Sequence, residues 1–155
     1  MLRQRRAPLG AKEMAHTYTN LLIHGLFSTK ERRPVLDAEL RRELFAYMGG
    51  IIAHLKSRPL LINGPKDHVH LLFVLPASLA LSDLMEKVKA NSSKWVHERW
   101  PRRSLFGWQE GYTAFSVSQS NLEKVTKYIV EQEGHHRKLS FREEVLPTEE
   151  APNRV

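Results

Sequence analysis

The chain has 155 residues, 41% hydrophobic and 26% charged, enough for one domain with a genuine core and too short for two of ordinary size. It holds no cysteine, which removes disulfides, thiolate metal sites and thiol nucleophiles together. A net charge of +7 with a pI of 9.9 points toward a polyanionic partner, nucleic acid before a neutral substrate.

Residues 1–15 carry Pro, Gly and charge without periodicity and read as a flexible basic arm. Arg3, Arg5, Arg6 and Lys12 against Glu13 leave +3 there, and the remaining +4 is spread over the body. Met14 can open the folded unit or even translation. The opening stretch lacks the apolar segment of a signal peptide, and no apolar run approaches the roughly 20 residues that cross a bilayer. A cytoplasmic protein with no membrane partner is therefore expected.

The aromatic and aliphatic stretch "YTNLLIHGLFST" (18–29) predicts a strand. From Val35 to Ser57, Leu36, Leu40, Leu44, Met48, Ile51 and Leu55 recur at helical spacing. The Gly49-Gly50 pair inside that helix suggests a close approach to the sheet, and Pro59 is expected to end the helix. "LLIN", the turn "GPKD" (64–67) and "HVHLLFVLP" form a hairpin. A second helix spans about Ser82 to Trp100, with Leu84, Val88, Asn91 and Trp95 down one side. "WQEGYTAFSVS" is the last strand. The last helix opens on a capping box, Ser120 with Glu123, and runs to about Arg137. The order β-α-β-β-α-β-α predicts an α+β, ferredoxin-like (RRM-like) sandwich, an antiparallel sheet with helices packed on it and an extra C-terminal helix. The folded unit is expected over residues 16–146, with 147–155 a mobile tail.

Two imidazoles stand at the mouth of the apolar run 68–76. Side chains alternate across a strand, so His68 and His70 share a face with Leu72 and Val74, while Val69, Leu71 and Phe73 line the other. Both faces are apolar, so the strand is central and covered on each side. The pair can chelate a cation if a third ligand arrives from elsewhere, or it can simply meet water at a strand end.

The last helix, "NLEKVTKYIVEQEGHHRK", offers that third group. At about 100° per residue, Tyr128 and Gln132 share a face beside the apolar stripe of Leu122, Val125 and Ile129. His135 falls near that face, and His136 beside Ile129. Taken singly, Tyr128 reads as a core-edge aromatic and Gln132 as a solvated helix residue. Jointly they suit attack on a phosphodiester. A tyrosine hydroxyl, with a pKa of about 10, is a poor nucleophile without a cation or base. A divalent ion held by neutral ligands keeps its full charge for the phosphate and the leaving oxygen.

"HVHLLF" resembles the His-hydrophobe-His signature of the HUH endonucleases. "KYIVEQEGHHRK" resembles the tyrosine helix of the single-tyrosine transposases, the small enzymes of the simplest bacterial insertion sequences. "YTNLLIHGLFSTK", "KANSSKWVHE" and "WQEGYTAFSVS" are similar to further segments of that family and of its REP-associated relatives. The resemblance runs from about His16 to Glu144, and its specificity lies in five segments in the right order. It implies that His68, His70 and Gln132 hold a divalent metal and that Tyr128 attacks single-stranded DNA, leaving a 5′-phosphotyrosine and a free 3′-OH that can rejoin strands without ATP. It also implies DNA hairpins as partners and a homodimer. The implied ion is Mg2+ or Mn2+, although two imidazoles and an amide suit manganese or zinc at least as well.

Single strands bind in basic grooves with aromatic platforms. Lys87, Lys89 and Lys94 on the second helix, Arg102 and Arg103 after it, and Trp108 are the expected contacts; each lysine also fits a solvated helix face. Trp95 is in phase with the core. Two other functions remain open: a domesticated nucleic-acid-binding regulator that lost cleavage, and a metal-dependent hydrolase using bound water, with Tyr128 merely structural.

Overall fold

Strand β1 (Leu21–Ser28) lies inside a four-stranded antiparallel sheet whose order is β2-β3-β1-β4, with β2 at Arg58–Asn63, β3 at His68–Leu75 and β4 at Thr113–Val117. A computed structural model describes residues 16–132; the basic arm, the acidic tail, His135 and His136 lie outside them. Helices α1 (Ala38–His54), α2 (Leu81–Arg99) and α3 (Leu122–Val130) complete the β-α-β-β-α-β-α order, the ferredoxin-like arrangement expected from the sequence.

The alternation along β3 divides the molecule. Val69, Leu71, Phe73 and Leu75 join Phe27 of β1 in a core with Leu40, Leu44, Met48 and Ile52 of α1 and Leu84, Met85, Val88 and Val96 of α2. His68, His70, Leu72 and Val74 point to the opposite face, under α3. Inner strands covered on both sides read as continuous apolar runs, and the residues of β3 are accordingly almost all buried.

Several boundaries move, each for a local reason. Helix α1 starts after Asp37, whose carboxylate accepts the Leu40 amide at 3.0 Å. It does not end at Pro59. The chain reverses at Lys56 (φ 64°), and Pro59 sits within edge strand β2 beside a register shift, where a missing N–H costs little. The Gly49-Gly50 pair makes no close approach: a Cβ on Gly49 would stand 3.7 Å from Ile62 and one on Gly50 would meet nothing within 4 Å. On α2 the buried positions after Val88 are Ser92 and Val96, in place of Asn91 and Trp95. Trp95 is half-buried against Tyr47, ring centroids 4.4 Å apart and nearly parallel.

The last strand is also shorter than expected. Residues 108–112 form a loop, with Trp108 in an isolated bridge to Thr29. The capping box does not form: a short turn (Gln119–Asn121) precedes α3, whose N-cap Asn121 makes no side-chain cap bond, and Ser120 meets Ser118 at 3.1 Å. Within α3, Ile129 is buried and Leu122 and Val125 half-buried, the stripe the helical period predicts.

Candidate active site

The face of the sheet beneath α3 gathers the titratable groups. His68 and His70 are 0% and 1% exposed, held in place by the inner position of β3. Asp67 Oδ1 lies 2.8 Å from His68 Nδ1; since a carboxylate only accepts, that nitrogen carries the proton, and whenever the ring is neutral Nε2 keeps the lone pair. His68 Nε2 and His70 Nε2 face one another at 3.1 Å. His70 Nδ1 is 2.8 Å from Nε2 of His24 on β1, with the rings stacked.

The loop before β3 sets this edge. The Asp67 carbonyl accepts from the Thr29 amide at 2.9 Å, and the single Thr29 hydroxyl proton is shared between the carbonyls of Arg33 at 2.7 Å and Asp67 at 3.1 Å. Arg32, at 3.8 Å from Asp67, adds positive charge beside the carboxylate. Gly64 leaves the room: a Cβ there would collide with the His68 carbonyl oxygen.

Tyr128 projects from α3 onto the histidines. Its ring is edge-on to His70, centroids 6.0 Å apart at 88°, and 6.5 Å from His24; it is half-buried rather than sealed in the core. Gln132, one turn on, is fully buried, and its Nε2 donates to the Tyr128 carbonyl at 3.1 Å. Asn63 of β2, opposite His70 in the ladder, donates to the Ile129 carbonyl at 2.9 Å. One chain therefore brings Tyr128 to its own histidine pair.

These residues suit a divalent ion. Nitrogens 3.1 Å apart match neighbouring ligands each about 2.1 Å from one ion, and both Nδ1 atoms are engaged on the outer side, as ligating imidazoles require. Among the described residues no group of three or more His, Cys, Asp or Glu side chains is arranged to hold a metal. Gln132, on the same side of the tyrosine helix, carries an amide oxygen, a ligand type outside that set.

The family model for IS200-like transposases matches residues 17–132, the whole of this sheet-and-helix unit. The chain belongs to that family. Transposases for insertion sequence element IS200 from Salmonella typhimurium and Salmonella typhi are each 29% identical over 126 residues, spanning 78% of this chain and 82% of theirs. Among solved structures, a candidate transposase from Deinococcus radiodurans R1 has a TM-score of 0.64 at 21% identity, covering 79% of this chain and 98% of that one. A REP-associated tyrosine transposase bound to a REP hairpin has a TM-score of 0.60 at 13% identity, covering 92% and 93%. At those identities the two structures speak for the shared fold.

The basic residues expected to meet DNA lie elsewhere in this IS200-like transposase. Lys87, Lys89 and Lys94 are on α2, across the sheet from the histidines. Lys89 clasps the carbonyls of Gln109 (2.6 Å) and Gly111 (2.5 Å), and burial holds its ammonium below the usual lysine value. Arg103 bonds Asp37 at 2.6 Å and lies over Trp100. Lys94 and Lys87 are exposed, the former 3.9 Å from Glu98. Arg102 lines a shallow pocket with Pro34, Ser104 and Leu105. The half-buried Trp108 donates from its indole to Ser92 at 2.9 Å and packs edge-on to Phe27 and Phe106.

Sequence reasoning missed His24, Asn63 and Phe115. Phe115 is 41% exposed on the histidine face, its ring 6.3 Å from His24. The one available signal was His24 itself, a polar residue inside the apolar run "LLIHGLF".

Proposed function

We propose that this transposase cleaves and rejoins single-stranded DNA at hairpin-flanked ends through a 5′-phosphotyrosine on Tyr128, with a divalent metal, Mg2+ or Mn2+, held by His68, His70 and Gln132. The observation that carries the reading is the convergence of two buried imidazole nitrogens 3.1 Å apart with a phenol ring edge-on to one of them. When bound, the ion supplies positive charge that polarises the phosphate and stabilises the departing oxygen.

The chain's own residues do the rest. Asp67 and His24 contact the outer nitrogens of the two rings, leaving the Nε2 atoms facing each other. Asn63 ties the tyrosine helix to the histidine-bearing side of the sheet, which limits the wandering of the nucleophile. Tyr128 forms an O–P bond as the P–O3′ bond breaks; the phenol loses its proton and the 3′ oxygen gains one. The phosphodiester energy stays in the phosphotyrosine, so an incoming 3′-OH can reverse the step. Exposed Phe115 beside His24 offers a face on which an unstacked base can lie. The reading includes a homodimer, as the family resemblance implies.

The test is incubation with a labelled single-stranded hairpin and Mn2+, followed by a denaturing gel. The expected product is a protein–DNA adduct resistant to SDS and absent for Tyr128→Phe, with His68→Ala abolishing cleavage while hairpin binding persists. Cleavage without an adduct would identify a water-using hydrolase. Binding without cleavage would identify a regulator.

A further inference from the structure

The sheet face under α3 carries a third histidine that is not one of the ligands in the metal reading. His24 is 9% exposed, and its ring stacks on His70 with centroids 5.1 Å apart and planes 26° apart. The strand register puts it there: Leu26 opposes His70 in the ladder, and His24, two residues back on the same face, reaches the ring diagonally. Its Nε2 is engaged at Nδ1 of His70, on the outer side of that ring, so through this atom it is not a ligand for an ion at the Nε2 pair.

A neutral imidazole has one proton for two nitrogens. Asp67 takes the Nδ1–H of His68, which leaves the His68 Nε2 as a lone pair. His70 then has two settings. With its proton on Nε2 it donates to His68, its Nδ1 accepts from His24, and no lone pair is left for a cation. With its proton on Nδ1 it donates to His24, and two Nε2 lone pairs face each other across 3.1 Å, repelling unless a cation lies between them. The setting of His70 is thus tied to which nitrogen of His24 is protonated.

We propose that His24 is a positioning residue for the metal pair: by accepting the Nδ1 proton of His70 at its own Nε2, it holds His70 in the tautomer that aims a lone pair at the ion shared with His68. This rests on the metal reading above. The stack adds a second constraint, fixing the plane of the His70 ring, which stands at 65° to that of His68 with the Nε2 atoms 3.1 Å apart.

The test uses the full chain and Mn2+ alone, with binding read by titration and no DNA present. Wild type is first compared with His68→Ala; equal affinities would show that no ion sits at the pair and would overturn both the metal reading and this one. Given specific binding, His24→Phe is expected to weaken Mn2+ about 10- to 100-fold, as loss of a partner to a ligating imidazole does. His24→Gln, whose amide oxygen can accept the same proton, is expected to restore most of the affinity. Wild-type affinity in His24→Phe, or a Gln variant no better than Phe, overturns the role of His24 and leaves the metal reading standing. Because a phenyl ring can disturb the sheet, the wild type is also read directly by 15N-histidine NMR with diamagnetic Mg2+. His70 and His24 should both be protonated at Nδ1. A His24 protonated at Nε2 in the metal-bound protein overturns the proposal.

Discussion

Asn63 and Ile129 are joined across the sheet face: the Asn63 side-chain amide donates to the Ile129 carbonyl at 2.9 Å and lies 3.4 Å from that of Val130. Asn63 is also the ladder partner of His70. One side chain on β2, the ladder neighbour of the histidine strand, therefore reaches the last turn of the tyrosine helix.

Asn63→Ala should cost about 1 kcal/mol of stability, the net value of a hydrogen bond. Its larger effect should be on chemistry, since a nucleophile displaced by an ångström loses up to about 100-fold in rate. Denaturant unfolding and the rate of adduct formation measure the two. An unchanged adduct rate would mean that the buried Ile129 side chain alone positions α3.

Gly64→Ala should destabilise by about 1–3 kcal/mol, the usual cost of overpacking. The added Cβ would collide with the His68 carbonyl and stand 2.9 Å from the Val69 Cα, both backbone atoms that cannot rotate away. Strand β3 would shift where the histidines begin, so Mn2+ affinity should fall along with the unfolding midpoint. A fully stable variant with intact Mn2+ binding would contradict the packing described at this turn.

Asp37 caps α1 and pairs with Arg103. The Arg103 hydrogen bond, followed by the Leu40 amide, holds its carboxyl below the ordinary value of 3.8. A carboxyl depressed in the folded state stabilises fully above its unfolded pKa, and the contribution is lost as pH falls through the lower folded value. Asp37→Ala should cost about 0.5–2 kcal/mol at neutral pH, the range for a lost N-cap. The gap between wild type and variant should narrow in acid, as thermal melts at neutral and strongly acidic pH will register.

Lys89 is a clasp on the loop leading to β4. Lys89→Met should lower the melting temperature through loss of the two carbonyl bonds. The dependence of single-strand binding on salt should be unchanged. If the slope of log affinity against log salt fell by about 0.7, the loss of one phosphate contact on a single strand, DNA would have to pass over α2.

Much of this transposase is written in local sequence. Alternation around "HVHLLFVLP" implies a central strand with two histidines on one face, and the 3.6-residue period of "NLEKVTKYIVEQ" puts Tyr128 and Gln132 on one side of a helix. Those are statements about neighbours along the chain, which period and pleat determine. The same reasoning failed where a long-range partner decided the outcome. Nothing nearby in sequence announces Ser92 as the acceptor of the Trp108 indole or the Gln109 carbonyl as that of the Lys89 ammonium. Ser120 with Glu123 fits a capping box, yet the turn ahead of α3 engages Ser120 with Ser118.

By itself, then, the sequence determined the order of elements, the shared faces of His68 with His70 and of Tyr128 with Gln132, and the family to which the chain belongs. The tertiary structure decided which of those faces meet. His24 and His70 are 46 positions apart, and Asn63 and Ile129 are 66 apart. Only strand register and the docking of α3 bring such pairs within a hydrogen bond, because contacts of that range depend on the closure of the whole sheet and not on the conformation of any one segment.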